Sequence, residues 1–213
     1  MKPLYIIGTS GFAKEVGQLA GHINAATPRW SRIEYLAEEA TNIGLELPYG
    51  CVTGTDALLD REEPADFAIG IGRPKIRQRI AERCAARPWL AAPNLIHPNT
   101  LVDPAWMKLG QGNILTRGAV FTCSIVVGDF NVFNLNCTIG HDVRIGNCVV
   151  INPGCNISGG VSLGDRCLVG TGVQILEGLG VAADTTLGAG ALVSKSITEP
   201  AIYVGLPARP LSK

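Results

Sequence analysis

Histidine is scarce in this chain, with three residues among 213, at positions 22, 97 and 141. A zinc centre of three imidazoles therefore finds no cluster of ligands, and no CxxC pair offers thiolates in their place. Charge of one sign is also missing: 18 basic residues balance 18 acidic ones. A net charge of zero argues against a general nucleic-acid binder, which needs a positive field to attract phosphates. No apolar run approaches the roughly 18 residues that span a bilayer. Leu4 to Ile7, after Lys2, is too short for the apolar part of a signal peptide. These absences leave a soluble cytoplasmic protein of one or two domains as the expectation.

What the chain has instead is rhythm. From Leu109 to Thr198 it repeats every six residues, and the first position of each hexad is apolar, as in Ile139, Ile145, Ile151, Ile157, Leu163, Val169 and Ile175. The second position is mostly small or polar (Gly110, Gly128, Gly140, Gly146, Gly164), and the fifth is again small or apolar (Cys137, Val143, Val149, Cys155). An apolar pair two residues apart suits a short strand with one buried face, and glycine beside it is expected to let the backbone bend before the next strand. Fifteen such hexads in register specify a parallel β-helix. Three hexads close a triangular coil of 18 residues, so five coils stack at about 4.8 Å per layer. Cys137, Cys155 and Cys167 fall inside, where a reduced thiol acts as a small hydrophobe. Their burial and the odd total of seven cysteines fit a reducing compartment better than a disulfide framework.

The first 90 residues follow another rule. Leu4–Ile7 reads as a buried strand that runs into Gly8-Thr9-Ser10-Gly11, and Phe12 to Ile23 carries Phe12, Val16, Leu19, Ala20 and Ile23 at helical spacing. Further strands are expected near Ile33–Leu36 and Phe67–Ile71, with a second helix over Lys75–Ala86 whose Ile76, Ile80 and Cys84 share a face. Alternating strands and helices make a small parallel α/β domain. The expected division is a Rossmann-like domain over residues 1–92 and the β-helix over 93–213. Within the first domain, Gly8 to Gly11 is a candidate phosphate cradle, because a tight turn before a helix aims free N–H groups at an anion. It lacks the full GxGxxG spacing, so a plain strand-to-helix turn explains it equally well.

Taken together, these segments resemble the two-domain left-handed β-helix sugar acyltransferases of bacterial surface-glycan synthesis. The resemblance runs through Gly8-Thr9-Ser10-Gly11-Phe12-Ala13-Lys14-Glu15-Val16, Ala68-Ile69-Gly70 with Ile76-Arg77, Ile96-His97-Pro98, Gly140-His141-Asp142 and the closing Val204-Gly205-Leu206-Pro207-Ala208-Arg209. It implies an acetyl-CoA-dependent N-acetyltransferase acting on the 4-amino group of a nucleotide-activated 4-amino-4,6-dideoxy sugar, linked to GDP, UDP or dTDP. It also implies a homotrimer with active sites between subunits and no metal. In that scheme His141 is the general base, Asp142 orients it or the amine, and Asn134 lies near the site. Coenzyme A falls on Val150, Gly159, Thr171 and Ala189, and the nucleotide-sugar on Gly8, Ser10, Gly11 and Phe12, with Glu38 and Glu39 where relatives carry a pair of acids. Phe12-Ala13 replaces a His-Gly pair found in many relatives, which leaves the nucleotide base open.

The residues support part of this scheme unaided. His141 is the only histidine in the repeats and occupies a corner position outside the apolar pair. Imidazole is the side chain that exchanges protons near neutral pH, and an ammonium must give up a proton before its nitrogen can attack a thioester. One coil on stand Gly159 and Gly160, whose N–H groups are candidates for the oxyanion of a tetrahedral intermediate. Asp142, next in sequence, points to the opposite face if the strand rule holds at a corner. Lys195, Arg209 and Lys213 are candidates for the phosphates of coenzyme A. An O-acetyltransferase of the sialic-acid type and a non-enzymatic β-helix scaffold are the competing readings.

Overall fold

The computed structural model describes residues 1–211. Lys213 lies outside them. The N-terminal part is a six-stranded sheet formed by β1 (Leu4–Ile7), β2 (Ile33–Ala37), β3 (Glu46–Leu47), β4 (Gly50–Thr55), β5 (Ala65–Ile69) and β6 (Leu90–Ala91), in the order β3-β4-β2-β1-β5-β6. All neighbours are parallel except the β3–β4 hairpin, which the sequence pattern does not announce. Helix α1 (Gly11–Ala26) follows β1, and α2 (Pro74–Ala85) follows β5. α1 buries Val16, Leu19 and Ala20, as its spacing predicts, together with Ala13, while Phe12 and Ile23 are half-buried. α2 is rotated by about one residue from the expected face. It turns Arg77, Ala81 and Cys84 inward and leaves Ile76 and Ile80 half-buried at the flank.

The C-terminal part is the β-helix. Its strands are mostly two residues long and pair with the strand 18 residues on, as in Thr138↔Asn156, Arg144↔Ser162 and Val150↔Leu168. The first coil is longer: Leu95 pairs with Ile114 while Met107 already pairs with Ile125, so the extra residue lies before Met107. The core column contains Phe133, Ile139, Ile145, Ile151, Ile157, Leu163 and Val169, all buried. Cys137, Cys155 and Cys167 stand in the same column, where burial pushes Cys137 up to about 12 and Cys167 up to about 11. All seven cysteines are free thiols.

The bend between strands is made elsewhere than the repeat suggests. Every sixth residue from Gly112 to Gly190 has a left-handed backbone, including Ser124, Phe130, Asn136, Asp142, Cys148, Arg166 and Asp184. These are fourth positions of the hexad, so the second-position glycine is not the hinge. It is small for another reason: a Cβ on Gly140 would stand 2.6 Å from the Gly159 amide nitrogen of the next coil. Left-handed turns at six-residue intervals give the prism three edges. The first carries residues 112, 130, 148, 166 and 184, the second 118, 136, 154, 172 and 190, and the third 124, 142, 160 and 178.

One prism face is covered by the N-terminal part. α1 packs on the sheet between the first and second edges, so Ala13, Val16, Leu19 and Ala20 share a buried cluster with Leu95, Ile114, Val132 and Val150. The junction is sealed by His97, which is buried. Its Nδ1 accepts the Asn99 N–H at 3.1 Å, so the neutral ring carries its proton on Nε2, which faces Nδ1 of His22 on α1 at 3.3 Å. Burial, His22 and Arg117 hold its pKa below 6.5, and Tyr49 packs edge-on against His22. A lowered native pKa means the unfolded chain binds the proton first. This contribution to stability is therefore whole above pH 6.5 and is lost as pH falls from 6.5 through the native value. His97→Gln is expected to flatten the pH dependence of the thermal midpoint across that window, measured by calorimetry between pH 5 and 8.

Candidate functional site

The left-handed backbone at Asp142 resolves the orientation problem posed by two adjacent residues. With φ at 59°, Asp142 does not alternate with His141 as on a strand, and its carboxylate folds back to place Oδ2 2.8 Å from His141 Nδ1. A carboxylate only accepts, so neutral His141 donates from Nδ1 and keeps Nε2 as a free acceptor. Both side chains are about two-thirds exposed. The imidazole lies over the next coil, where a Cβ on Gly159 would stand 2.6 Å from Cε1 and Nε2.

The two neighbouring glycines divide their roles. Gly160 donates its N–H to the His141 carbonyl at 2.8 Å and is spent on holding the edge together. Gly159 accepts from Gly178 through its carbonyl, and its own N–H makes no hydrogen bond among the described residues. Only Gly159 of the pair retains a donor for a ligand. Cys123 is exposed one coil earlier, and its carbonyl accepts the Asp142 N–H.

The other expected prism residues sit apart from this group. Asn134 is buried beside the second edge, its Oδ1 accepting the Leu135 N–H at 2.8 Å. Thr171 and Ala189 are exposed along that same edge. Within one chain, strand Thr138–Ile139 separates Asn134 from His141. Val150 is buried under α1 and is closed to any ligand on the surface of this chain.

Beside the third edge the face that starts at Arg144 opens into a groove of about 630 Å³, lined by Val126, Arg144, Ser162, Gly164, Gly180 and Ser196 among others. A second hollow of about 310 Å³ lies at the C-terminal end and is lined by Lys195, Tyr203 and Arg209. Small residues along the groove floor leave room for an extended ligand, and the two cations suit an anionic end.

The N-terminal candidates gather at the carboxyl ends of β1, β2 and β5. Gly8 has φ at +118°, Ser10 caps α1 without using its hydroxyl, and Gly11 and Glu38 are exposed. β2 and β5 flank β1 on opposite sides, so this turn is the point where strand order reverses, the usual crevice for a ligand in an open α/β sheet. The helix start has no acidic residue in its first turn, which leaves its positive end free for an anion. Three carboxylates, imidazoles or thiolates close enough to hold a metal do not occur together among the described residues. No helix among them is long and apolar enough to cross a membrane.

Arg77 enters the sequence reading only within the Ile76-Arg77 segment and without a role, because its helix face is read through Ile76 and Ile80. The signal available was an arginine four residues before Ala81 and seven before Cys84, the spacing of a buried stripe that Arg79 and Arg83 of the same helix do not share.

Comparison with known proteins adds a family. The profile of the PglD N-terminal domain matches residues 3–84. The acetyltransferase domain of PglB from Neisseria gonorrhoeae FA1090 superposes with a TM-score of 0.91 at 30% identity, over 99% of this chain and 100% of that one. The same domain in complex with acetyl coenzyme A gives 0.90 at 31% identity, over 99% of each chain. PerB from Caulobacter crescentus, in complex with CoA and GDP-perosamine, gives 0.88 at 26% identity over 100% of this chain and 98% of that one. A search of curated proteins returns no match.

The packing at the third edge makes a local prediction. Gly159→Ala is expected to push the imidazole off its seat and part it from Asp142. The check is the ¹⁵N spectrum of the ring: loss of the Nδ1–H tautomer preference in the variant, with the wild type retaining it.

Proposed function

Since the chain belongs to the sugar acyltransferase family that includes the PglB acetyltransferase domain, we propose that it transfers the acetyl group of acetyl-CoA to the 4-amino group of a nucleotide-activated 4-amino-4,6-dideoxy sugar. The observation that carries this reading is the His141–Asp142 pair, which leaves Nε2 as a proton acceptor on an exposed edge beside a long groove. Asp142 fixes the tautomer. His141 Nε2 takes a proton from the amine as its nitrogen attacks the thioester carbonyl, and the Gly159 N–H donates to the oxygen that becomes negative. The returned proton then leaves with the thiol of coenzyme A. No residue of the chain needs to be acylated.

The groove offers a path for the pantetheine arm, with Lys195 and Arg209 at its far end for phosphates. The crevice of Gly8, Ser10, Gly11 and Phe12 takes the nucleotide-sugar, with Glu38 set to accept from the base. These roles divide the chain near residue 92 into an acceptor domain and a transfer domain. Three facts favour a homotrimer: Asn134, Thr171 and Ala189 share one edge, His141 and Gly159 another, and two prism faces stand uncovered. A cleft containing both sets needs the second edge of one copy against the third edge of the next. The reaction belongs to cytoplasmic synthesis of a surface glycan, where nucleotide-sugars are made.

Four measurements test the proposal. Incubation of acetyl-CoA with GDP-perosamine and its UDP- and dTDP-linked counterparts is expected to add one acetyl group to at least one of them, detected by mass spectrometry. Resistance of that product to mild base marks an amide, whereas cleavage marks an ester and an O-acetyltransferase. His141→Ala and His141→Asn are expected to bind coenzyme A as the wild type does while turning over at least about 10²-fold more slowly. Near-normal turnover removes His141 from the chemistry. Light scattering is expected to give three times the chain mass, and a monomer contradicts the shared cleft.

A further inference from the structure

We infer that Arg77 is a positioning residue: its guanidinium locks the acceptor-side loop at the end of β5 to the first edge of the prism. This inference rests on the proposed function for what the loop receives, and on geometry alone for the lock. Arg77 is completely buried. Its Nε donates to the Phe130 carbonyl of the prism at 2.9 Å, and Nη1 donates to the carbonyls of Ile69 at 2.8 Å and Ile71 at 3.0 Å. One planar fork thus ties two backbone carbonyls of the N-terminal part, at the end of β5 and in the loop after it, to one of the β-helix.

The arrangement is poor as a source of stability. No carboxylate answers the charge, and the remaining nitrogen, Nη2, is buried without a hydrogen-bond partner. Desolvation brings the guanidinium down to about 10, which still leaves it protonated at neutral pH. Burial of an unpaired cation is costly, and an apolar residue of similar length would spare that cost. What an apolar residue lacks is the fork, with rigid donors that meet three carbonyls at once.

The loop it holds reaches the crevice. Gly70 donates its N–H to the Ile7 carbonyl at 2.9 Å, and a Cβ on Gly70 would stand 2.7 Å from that of Ala13 on α1. A Cβ on Gly8 would in turn stand 3.1 Å from the Gly70 carbonyl. The Gly8 turn, the start of α1 and the loop at residues 69–71 therefore move as one body. On the prism side, Phe130 has a left-handed backbone at φ 57° and stacks on Phe67 of β5 at 6.1 Å between ring centres. Arg77 and this stacked pair set the angle at which the acceptor crevice faces the prism.

Arg77→Gln and Arg77→Lys in the full chain test the inference, with Trp30→Phe as a control. Trp30 is buried at the opposite end of the same sheet, where its Nε1–H donates to Asp66 at 2.8 Å, so the control loses stability without touching the lock. With GDP-perosamine or whichever of its UDP- and dTDP-linked counterparts the wild type acetylates, Arg77→Gln is expected to raise the acceptor KM at least about tenfold. Its KM for acetyl-CoA is expected to stay within about threefold. Arg77→Lys, which keeps the charge without the fork, is expected to recover less than half of that loss on a logarithmic scale. Hydrogen exchange at the Gly8 and Gly70 amides is expected to quicken at least tenfold in Arg77→Gln and to stay at the wild-type rate in Trp30→Phe. An unchanged acceptor KM, an equal rise in both KM values, or exchange at the wild-type rate overturns the inference, and if Arg77→Gln does not fold the same criteria apply to Arg77→Lys. If the wild type acetylates none of the sugars the proposed function fails, and the exchange rates alone still decide whether Arg77 holds the loop.

Discussion

Closure of the chain on itself every 18 residues is the constraint on which the rest of the structure depends. A left-handed residue at each sixth position, from Gly112 to Gly190, gives the coils of that span the same length. Equal coils stack equivalent positions, so side chains separated by 18 residues become neighbours. Residues that stack on an edge are thereby set by arithmetic: His141 over Gly159, and Thr171 over Ala189 one edge away. Non-glycine residues in the left-handed region cost about 1–2 kcal/mol each unless their side chains help. Here some do, as when Asp142 turns that backbone into a contact with His141.

In the proposed function the prism carries the transfer chemistry and the N-terminal sheet carries the acceptor crevice. Their union is made by α1, which buries one stripe against its sheet and another against Ile114, Val132 and Val150. Apolar packing of this kind resists separation but only loosely fixes an angle, because it is non-directional. Direction comes from polar contacts, two of which use side chains deep in the boundary. His22 meets His97 at the chain junction, and Arg77 meets Phe130 at the first edge.

The fold was largely legible in the sequence because its signals are periodic. Ile139, Ile145 and their successors announce the column they fill, and Leu4–Ile7 followed by Gly8 announces a strand and a turn. The hinge was misplaced because glycine at the second hexad position has two possible reasons, a bend or a close approach, and sequence alone does not separate them. Gly140 is there for close approach, and the bend falls on residues as varied as Asp142, Cys148 and Arg166. The β3–β4 hairpin was missed because its strands are short and lack alternation. For the site, His141 stood out by rarity, whereas its bond to Asp142 did not, since that bond depends on a backbone angle. The coenzyme contact at Val150 was implied by the family resemblance alone; in this chain its side chain is buried under α1, and the repeat says nothing about which face another domain will cover.

An imidazole and a carboxylate in open water gain little from each other, because solvent competes for both. The pair at the third edge is about two-thirds exposed in the isolated chain, so its hydrogen bond fixes a tautomer but does little to strengthen a base. General-base help near neutral pH is worth about 10² to 10⁴ in rate, and holding two reactants together is worth more. Both gains grow when water is excluded from the site. In the proposed assembly a neighbouring edge supplies that exclusion and also the walls that hold thioester and amine together. On that proposal the position of the His–Asp pair on an edge of the prism, and not in its core, follows: a proton acceptor that serves two large substrates has to lie where a second surface can close over it.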